Sequence, residues 1–90
     1  MAKRRSSFEV RIDIIKSIAE EQGRLKPTHV MYKANLSHKL LKEYLDELTE
    51  KELITEMTEK DQKYITLTEK GWQFLRQFRD FKEFRDTFGL

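Results

Sequence analysis

The sequence of 90 residues contains no cysteine, a single proline, three glycines and two histidines. Without cysteine the chain has no disulfide framework, no thiol nucleophile and no Cys-ligated zinc site. So few glycines leave no Gly-rich phosphate loop, and His29 and His38 lie on different predicted helices, so no metal site is expected. The scarcity of glycine and proline favours a mostly helical chain with few turns.

Long apolar runs are also absent. No stretch has the length of a membrane span, and the first seven residues lack the apolar segment of a signal peptide, so we expect a soluble cytoplasmic protein. The carboxylates alternate with lysine and arginine as on a solvated helix, and a domain this small has little space for a substrate pocket. We therefore expect no enzyme activity, no cofactor and no small-molecule ligand.

Charged residues make up 38% of the chain, and their two signs are unevenly distributed. Residues 1–42 carry ten Lys or Arg against four Asp or Glu, a net charge of +6. Residues 43–90 carry eight against twelve, a net charge of −4. This asymmetry indicates one surface that faces an anionic partner, although a solvated mixed surface explains the same numbers.

The first predicted helix has clear ends and an unusually wide apolar face. Ser6 and Glu9 have the spacing of a capping box, and Gly23 is suited to end the helix in the left-handed conformation. Either this helix lies at the centre of its own domain, or its second apolar row meets another chain. The two rows consist of Phe8, Ile12, Ile15 and Ala19, and of Val10, Ile14 and Ile18.

A short second helix and a longer third helix are predicted between residues 28 and 51. Pro27 suits the first turn of the second helix, after a connection that could add a small edge strand. Asn35 suits a left-handed turn at its end, and Ser37 is a strong N-cap for the third helix. The third helix has an apolar face at helical spacing, formed by Leu40, Leu41, Tyr44, Leu45 and Leu48.

Two strands and a last helix complete the chain. Residues 53–58 and 63–67 are rich in Ile, Thr and Tyr, and the polar residues 59–62 connect them without a glycine. We therefore expect a four-residue hairpin loop rather than a two-residue turn. Thr68 is the predicted N-cap of the last helix.

The last predicted helix, which extends to about residue 88, contains five of the six phenylalanines. Three of them repeat every seven residues, and a fourth occupies the d position of the same register. Part of the row is expected to cover the domain's own core, but the other rings extend past the surface of so small a domain. An exposed row of Phe is a large apolar patch, so residues 68–90 predict a homodimer interface. Its predicted members are Phe74, Phe78, Phe81, Phe84 and Phe88.

This order of elements resembles the winged helix-turn-helix fold, a mainly α (α+β) fold with three N-terminal helices, a two-stranded β-hairpin wing and a long C-terminal helix. Residues 32–37 look like the junction of its two motif helices, and residues 67–71 look like the Leu-Thr-x-x-Gly that follows the wing. The chain is similar to small archaeal winged helix-turn-helix proteins that act as transcription regulators or chromosome-associated proteins. These dimerise through a C-terminal coiled-coil helix, often antiparallel. The resemblance implies a winged domain at residues 6–70 behind a basic, disordered arm at residues 1–5.

The resemblance also implies that a homodimer binds double-stranded DNA with the third helix in the major groove. Candidates for base or groove contacts are Ser37, His38, Lys39, Lys42 and Glu43. For Glu43 a pairing with Lys39 is the favoured alternative. Phosphate contacts are expected from Lys3, Arg4, Arg5, Lys26, Thr28, Lys33, Lys60 and Lys63. Such a protein is nucleoid-associated.

Two features depart from related sequences. Glu52 stands where a glycine usually precedes the first wing strand, which predicts a strained turn. The wing end carries Glu59 and Asp61 beside its lysines, so strong wing contacts with DNA are not expected. The mixed charge favours an alternative function as a protein–protein adaptor. RNA binding is a third possibility, but the chain lacks an aromatic stacking platform on a sheet.

Overall fold

The computed structural model describes residues 5–90, which form four helices and a three-stranded antiparallel sheet. The predicted α+β architecture is confirmed, with β1 as an additional strand outside the hairpin. The elements are α1 (Ser7–Glu20), β1 (Arg24–Leu25), α2 (Pro27–Ala34), α3 (His38–Glu50), β2 (Ile54–Glu59), β3 (Gln62–Leu67) and α4 (Glu69–Phe88).

Three of the four described helices, α1, α3 and α4, begin at the caps that the sequence predicts. Ser6 Oγ accepts the backbone N–H of Glu9 at 3.1 Å, and the Glu9 carboxylate accepts the N–H of Ser6 at 3.2 Å, so the capping box is present. Ser37 Oγ accepts a backbone N–H of α3, and Thr68 Oγ1 accepts one of α4. Each cap satisfies a backbone donor that the first helical turn leaves without a partner.

Helix α1 is the centre of the core. Ile14, Ile15 and Ile18 are fully buried, and α1 contacts α2, α4, β1 and β3. Both apolar rows of α1 are covered within one chain except at Phe8, which is half exposed. Of the two explanations for these rows, the first is confirmed, namely that α1 is the central helix of its own domain. Other elements complete the core with Leu25, Val30, Ala34, Leu41, Leu48, Leu53, Ile54, Ile65, Leu67 and Leu75.

The sheet has the strand order β1-β3-β2, and both neighbouring pairs are antiparallel. The predicted edge strand is confirmed as β1, which pairs with the C-terminal half of β3. β2 and β3 form the hairpin that corresponds to the wing. Because α1 packs against β1 and β3, the sheet closes one side of the helical core.

The hairpin turn corrects one expectation. Glu59 pairs with Gln62, so the turn contains only Lys60 and Asp61, and the predicted four-residue loop is wrong. Both turn residues have positive φ, 51° and 62°, as in a primed turn. The twist of a primed turn matches that of the two strands, and this gain outweighs the cost of a left-handed conformation at residues other than glycine.

The turn between α3 and β2 is held against the start of α4. Glu52 has φ 63°, which confirms the predicted strained turn. Thr68 Oγ1 donates to the Glu52 carbonyl at 2.6 Å and accepts the Gly71 N–H at 3.0 Å. A Cβ atom on Gly71 would collide with the Leu53 carbonyl oxygen. The Leu-Thr-x-x-Gly sequence therefore allows α4 to begin directly against this turn.

Helix α4 has 20 residues, and only its N-terminal half packs into the core. Gly71 and Leu75 are buried, and Phe74 is half-buried against the core, so part of the Phe row covers the domain's own core, as expected. From residue 79 onward every residue is exposed. Among residues 5–90, no helix combines the length and the apolar character needed to cross a membrane.

Candidate nucleic-acid interface

A left-handed turn joins α2 to α3. Asn35 ends α2 with φ 55°, as predicted, and the N–H of Leu36 donates to the Met31 carbonyl at 3.0 Å. Leu36 is half-buried and packs against the core, so it anchors the turn from inside. Ser37 follows in extended conformation and caps α3. The turn thereby orients the N-terminus of α3 away from the core.

The N-cap and the first two turns of α3 expose all the residues predicted to contact bases. Ser37, His38, Lys39, Lys42 and Glu43 are all exposed, whereas Leu41 and Leu48 on the opposite face are buried. None of the five side chains is needed to fill the core. One helix therefore presents all five predicted residues on its N-terminal half.

Ion pairing on this face differs from the expectation for Glu43. Within the described part of the chain, Lys39 and Glu43 lie in no ion pair, so the favoured pairing between them is not formed. Lys42 instead lies 3.6 Å from the Asp46 carboxylate one turn later, and both side chains are largely exposed. An exposed pair of this kind contributes little stability, so Lys42 can exchange it for an external anion at small cost.

The hairpin side of α3 forms a shallow depression of about 240 Å³. His38, Lys42 and Lys63 line it together with Pro27 at the start of α2. Lys63 Nζ lies 3.7 Å from the carboxylate of Glu56 on the neighbouring strand. The fold therefore brings basic residues from α3 and the hairpin to one surface, although acidic residues accompany them.

The residues predicted to contact phosphates do not form one group. Lys3 and Arg4 lie outside the described residues. Arg5, assigned to the disordered arm, is instead half-buried, and its guanidinium donates to Asp13 at 2.7 Å and to the Asn35 carbonyl at 3.1 Å. Lys33 points toward Glu20 and Glu21 at the end of α1. Lys26 and Thr28 flank the start of α2, and Lys60 is exposed in the hairpin turn.

An ion pair that no sequence pattern predicts connects α3 to α1. Arg11 donates to both carboxylate oxygens of Glu47, at 2.6 and 3.0 Å, and its guanidinium lies 5.7 Å from the centre of the Tyr44 ring. The hydrogen bond from Arg11 lowers the pKa of Glu47, and that from Glu47 raises the pKa of Arg11. No local pattern could reveal this pair, because its members are separated by 36 positions.

A second unpredicted contact connects the hairpin to β1. The Arg24 guanidinium lies 4.1 Å from the centre of the Tyr64 ring and donates to Glu59 at 2.7 Å. Contact with the Tyr64 side chain, followed by the Glu59 carboxylate, raises the pKa of Arg24. Glu59, one of the acidic residues near the hairpin turn, is thus engaged within the domain rather than free to repel an approaching anion.

The predicted interface residues of α4 divide into two groups. Phe74 and Phe78 are half-buried within the chain. The Phe78 and Phe8 rings meet edge-to-face, with their centres 6.0 Å apart. The other three rings remain exposed, and the centres of the Phe84 and Phe88 rings lie 5.0 Å apart. Their exposed fractions are 57% for Phe81, 54% for Phe84 and 64% for Phe88.

A groove of about 630 Å³ lies between α1 and α4, next to this exposed row. Its apolar lining comes from Phe8, Ile12, Phe78 and Phe81. Basic and acidic residues of both helices surround it in equal number, namely Lys16, Lys82 and Arg85 with Glu9, Asp13 and Asp86. Phe81 belongs both to the lining of the groove and to the exposed row of rings.

A family model described as winged helix-turn-helix matches residues 4–86, which is nearly the whole chain. Among curated proteins no match was found. The match includes the helix-turn-helix segment, the hairpin and most of α4. It therefore covers every residue of the candidate interface except Lys3 in the arm and Phe88 near the end of the chain.

Solved structures share the fold. Sso10a-2, a DNA-binding protein from Sulfolobus solfataricus, is 26% identical with a TM-score of 0.75, over 93% of this chain and 85% of that chain. F93 from STIV, a winged-helix DNA-binding protein, is 21% identical with a TM-score of 0.73, over 89% of this chain and 92% of that chain. MepR, a transcription regulator of the Staphylococcus aureus multidrug efflux pump MepA, is 21% identical with a TM-score of 0.77, over 88% of this chain and 61% of that chain. The last two show likeness of fold alone.

Proposed function

Because the chain belongs to the winged helix-turn-helix family, we propose that it binds duplex DNA as a homodimer, with α3 in the major groove. Its role is that of a transcription regulator or a chromosome-associated protein, and DNA as the ligand places it at the nucleoid in the cytoplasm. Residues 6–70 are the DNA-binding part, and residues 68–90 are the dimerisation helix. The similarity to Sso10a-2, a DNA-binding protein, supports this proposal.

The observation that carries the proposal is the exposed N-terminal half of α3. Ser37, His38, Lys39, Lys42 and Glu43 face solvent on a helix whose other face is buried. Lysine can donate to the O6 and N7 atoms of guanine, and a histidine or serine can contact a base edge or a phosphate. Glu43, which has no ion-pair partner among the described residues, can accept a hydrogen bond from the amino group of a cytosine.

Phosphate contacts would flank this helix. Lys26 and Thr28 lie at the start of α2, and Lys60 and Lys63 lie on the hairpin. Lys3 and Arg4 precede α1, and Arg5 and Lys33 would contribute only by leaving their carboxylate partners. Contacts of this type set affinity and salt dependence rather than sequence choice.

The homodimer is proposed from the exposed aromatic surface of α4. Phe81, Phe84 and Phe88 are more than half exposed on one chain, and the groove beside them contains the apolar side chains of Phe8, Ile12 and Phe78 among charged residues. A second copy of the chain supplies a matching row of rings, and burial of both rows removes a large apolar patch from water. Two recognition helices would then contact half-sites about one helical turn, roughly 34–36 Å, apart.

Duplex DNA binding as a function of salt concentration tests the proposed function. We expect the affinity of the wild-type protein to fall steeply as salt rises. The double variant Lys39→Glu plus Lys42→Glu should lose at least about thirtyfold in affinity, because each lost contact is worth about 1–3 kcal/mol. Both positions are exposed, so the variant should keep the thermal stability of the wild-type protein.

A matched control separates a groove contact from an effect of net charge. Lys51→Glu plus Arg76→Glu changes the net charge equally at exposed positions outside the N-terminal half of α3. This control should keep most of the affinity. If wild-type protein shows no salt-dependent binding to duplex DNA even at low ionic strength, the proposal is wrong and the adaptor function replaces it.

A further inference from the structure

We propose that Leu40 contacts the C5-methyl group of a thymine and thereby helps to determine which DNA sequence is bound. The inference rests on the proposed function, in which α3 enters the major groove. It adds an apolar residue to a face on which the sequence predicts contacts from polar residues alone, because the helical spacing predicts Leu40 on the buried side of α3.

Leu40 is an exposed apolar residue in the first turn of α3. It is 43% exposed, whereas the next residue, Leu41, is 5% exposed. Its backbone N–H donates to Ser37 Oγ at 3.2 Å, so the capping turn holds its position. An apolar side chain that the core leaves uncovered gains free energy when another apolar group covers it in a complex.

Two of the three charged groups beside Leu40 pair with each other. It lines a shallow depression of about 200 Å³ with Arg11, Glu43, Tyr44 and Glu47. Arg11 and Glu47 form a two-point ion pair beside the Tyr44 ring, so neither of these charges lacks a partner. Apart from Glu43, the side chain in this depression that lacks a partner in the chain is therefore the apolar side chain of Leu40, which stays partly exposed to water.

Thymine is the base whose major-groove edge carries an apolar group, the C5-methyl. Leu40 has neither a donor nor an acceptor, so the methyl group is the feature of a base edge that it can recognise. A helix that enters the groove with its N-terminus brings its first turn close to the bases. The structure places Leu40 in that turn, between the exposed polar face and α1.

Replacement of thymine by deoxyuridine isolates the methyl group, because the two bases share the same hydrogen-bonding groups. A preferred duplex would first be selected from random sequences, and each thymine of one half-site would then be replaced singly. For the wild-type protein we expect one replacement to weaken binding about three- to fivefold, the effect of one buried methyl group. For Leu40→Ala the thymine and deoxyuridine duplexes should bind with nearly equal affinity. Thr49→Ala, an exposed control on the same helix, should show the same weakening as the wild-type protein.

The outcomes distinguish the two proposals. Loss of the thymine preference in Leu40→Ala, with an unchanged thermal melting curve, supports the contact. If the protein binds DNA but wild type and Leu40→Ala respond equally to every replacement, or if the selected half-sites require no thymine, this inference is wrong and the proposed function stands. If no duplex is bound, the proposed function itself has failed.

Discussion

Replacement of Phe81 by alanine should dissociate the proposed dimer while leaving the folded chain intact. Phe81 is 57% exposed in the single chain and belongs both to the exposed row of α4 and to the lining of the groove beside α1. The substitution therefore removes apolar surface at the centre of the proposed interface. Because the ring contributes little to the core of its own chain, the unfolding free energy of the monomer should change only slightly.

The expected size of the effect follows from the exposed area of the ring. A phenylalanine side chain presents about 200 Å² to solvent when unpacked, so about 100 Å² of Phe81 is available for burial between chains. At 25 cal/mol per Å², this corresponds to about 2.5 kcal/mol per ring. A symmetric dimer loses two rings, so the dissociation constant should rise by up to several thousandfold.

Sedimentation equilibrium over a range of protein concentrations measures this dissociation constant. We expect wild-type protein to be dimeric at micromolar concentration and Phe81→Ala to be monomeric under the same conditions. Arg79→Ala provides a control, because Arg79 is exposed on the opposite side of α4 and should leave the equilibrium unchanged. A monomeric wild-type protein, or equal association of wild type and Phe81→Ala, would refute the reasoning.

Two further predictions concern stability. Gly71→Ala should lower the unfolding free energy by about 1–3 kcal/mol in urea denaturation, because the added Cβ collides with the Leu53 carbonyl oxygen; an unchanged midpoint would contradict this packing. Glu47→Gln should lower the unfolding free energy by about 0.5–1 kcal/mol at neutral pH, because the pairing with Arg11 is lost. Since the pKa of Glu47 is lowered in the folded state, this contribution is present above the ordinary glutamate pKa and is lost as the pH falls through the folded-state pKa. The two proteins should therefore converge in acid, and a difference that persists there would argue against the ion pair.

Local features of the fold were predictable because their partners lie close in the sequence. The Ser6 and Glu9 capping box involves residues three positions apart, and Ser37 and Thr68 cap their helices over the same spacing. The left-handed turn at Asn35 depends mainly on the residue that occupies it. These short-range preferences, with the apolar periodicity, were sufficient for the order of helices and strands.

Errors arose where contacts with other segments of the chain decide the local structure. The hairpin turn lacks glycine, yet pairing and twist of the two strands impose positive φ on Lys60 and Asp61. Arg5 belongs to a basic segment, yet Asp13 and the Asn35 carbonyl hold its guanidinium against the domain. In both cases contacts with residues outside the segment outweigh the conformational preference of the segment itself.

The residues of the candidate interface show the same division. Periodicity along the chain is sufficient to predict a polar face on α3 that begins at Ser37, and more aromatic surface on α4 than one small domain can bury. Packing between the elements, in contrast, determines that Leu40 remains exposed, that Phe78 contacts Phe8 while Phe81 stays exposed, and that Arg11 pairs with Glu47 across α1 and α3. Such assignments depend on which helices pack together, and packing brings together residues that no sequence spacing connects.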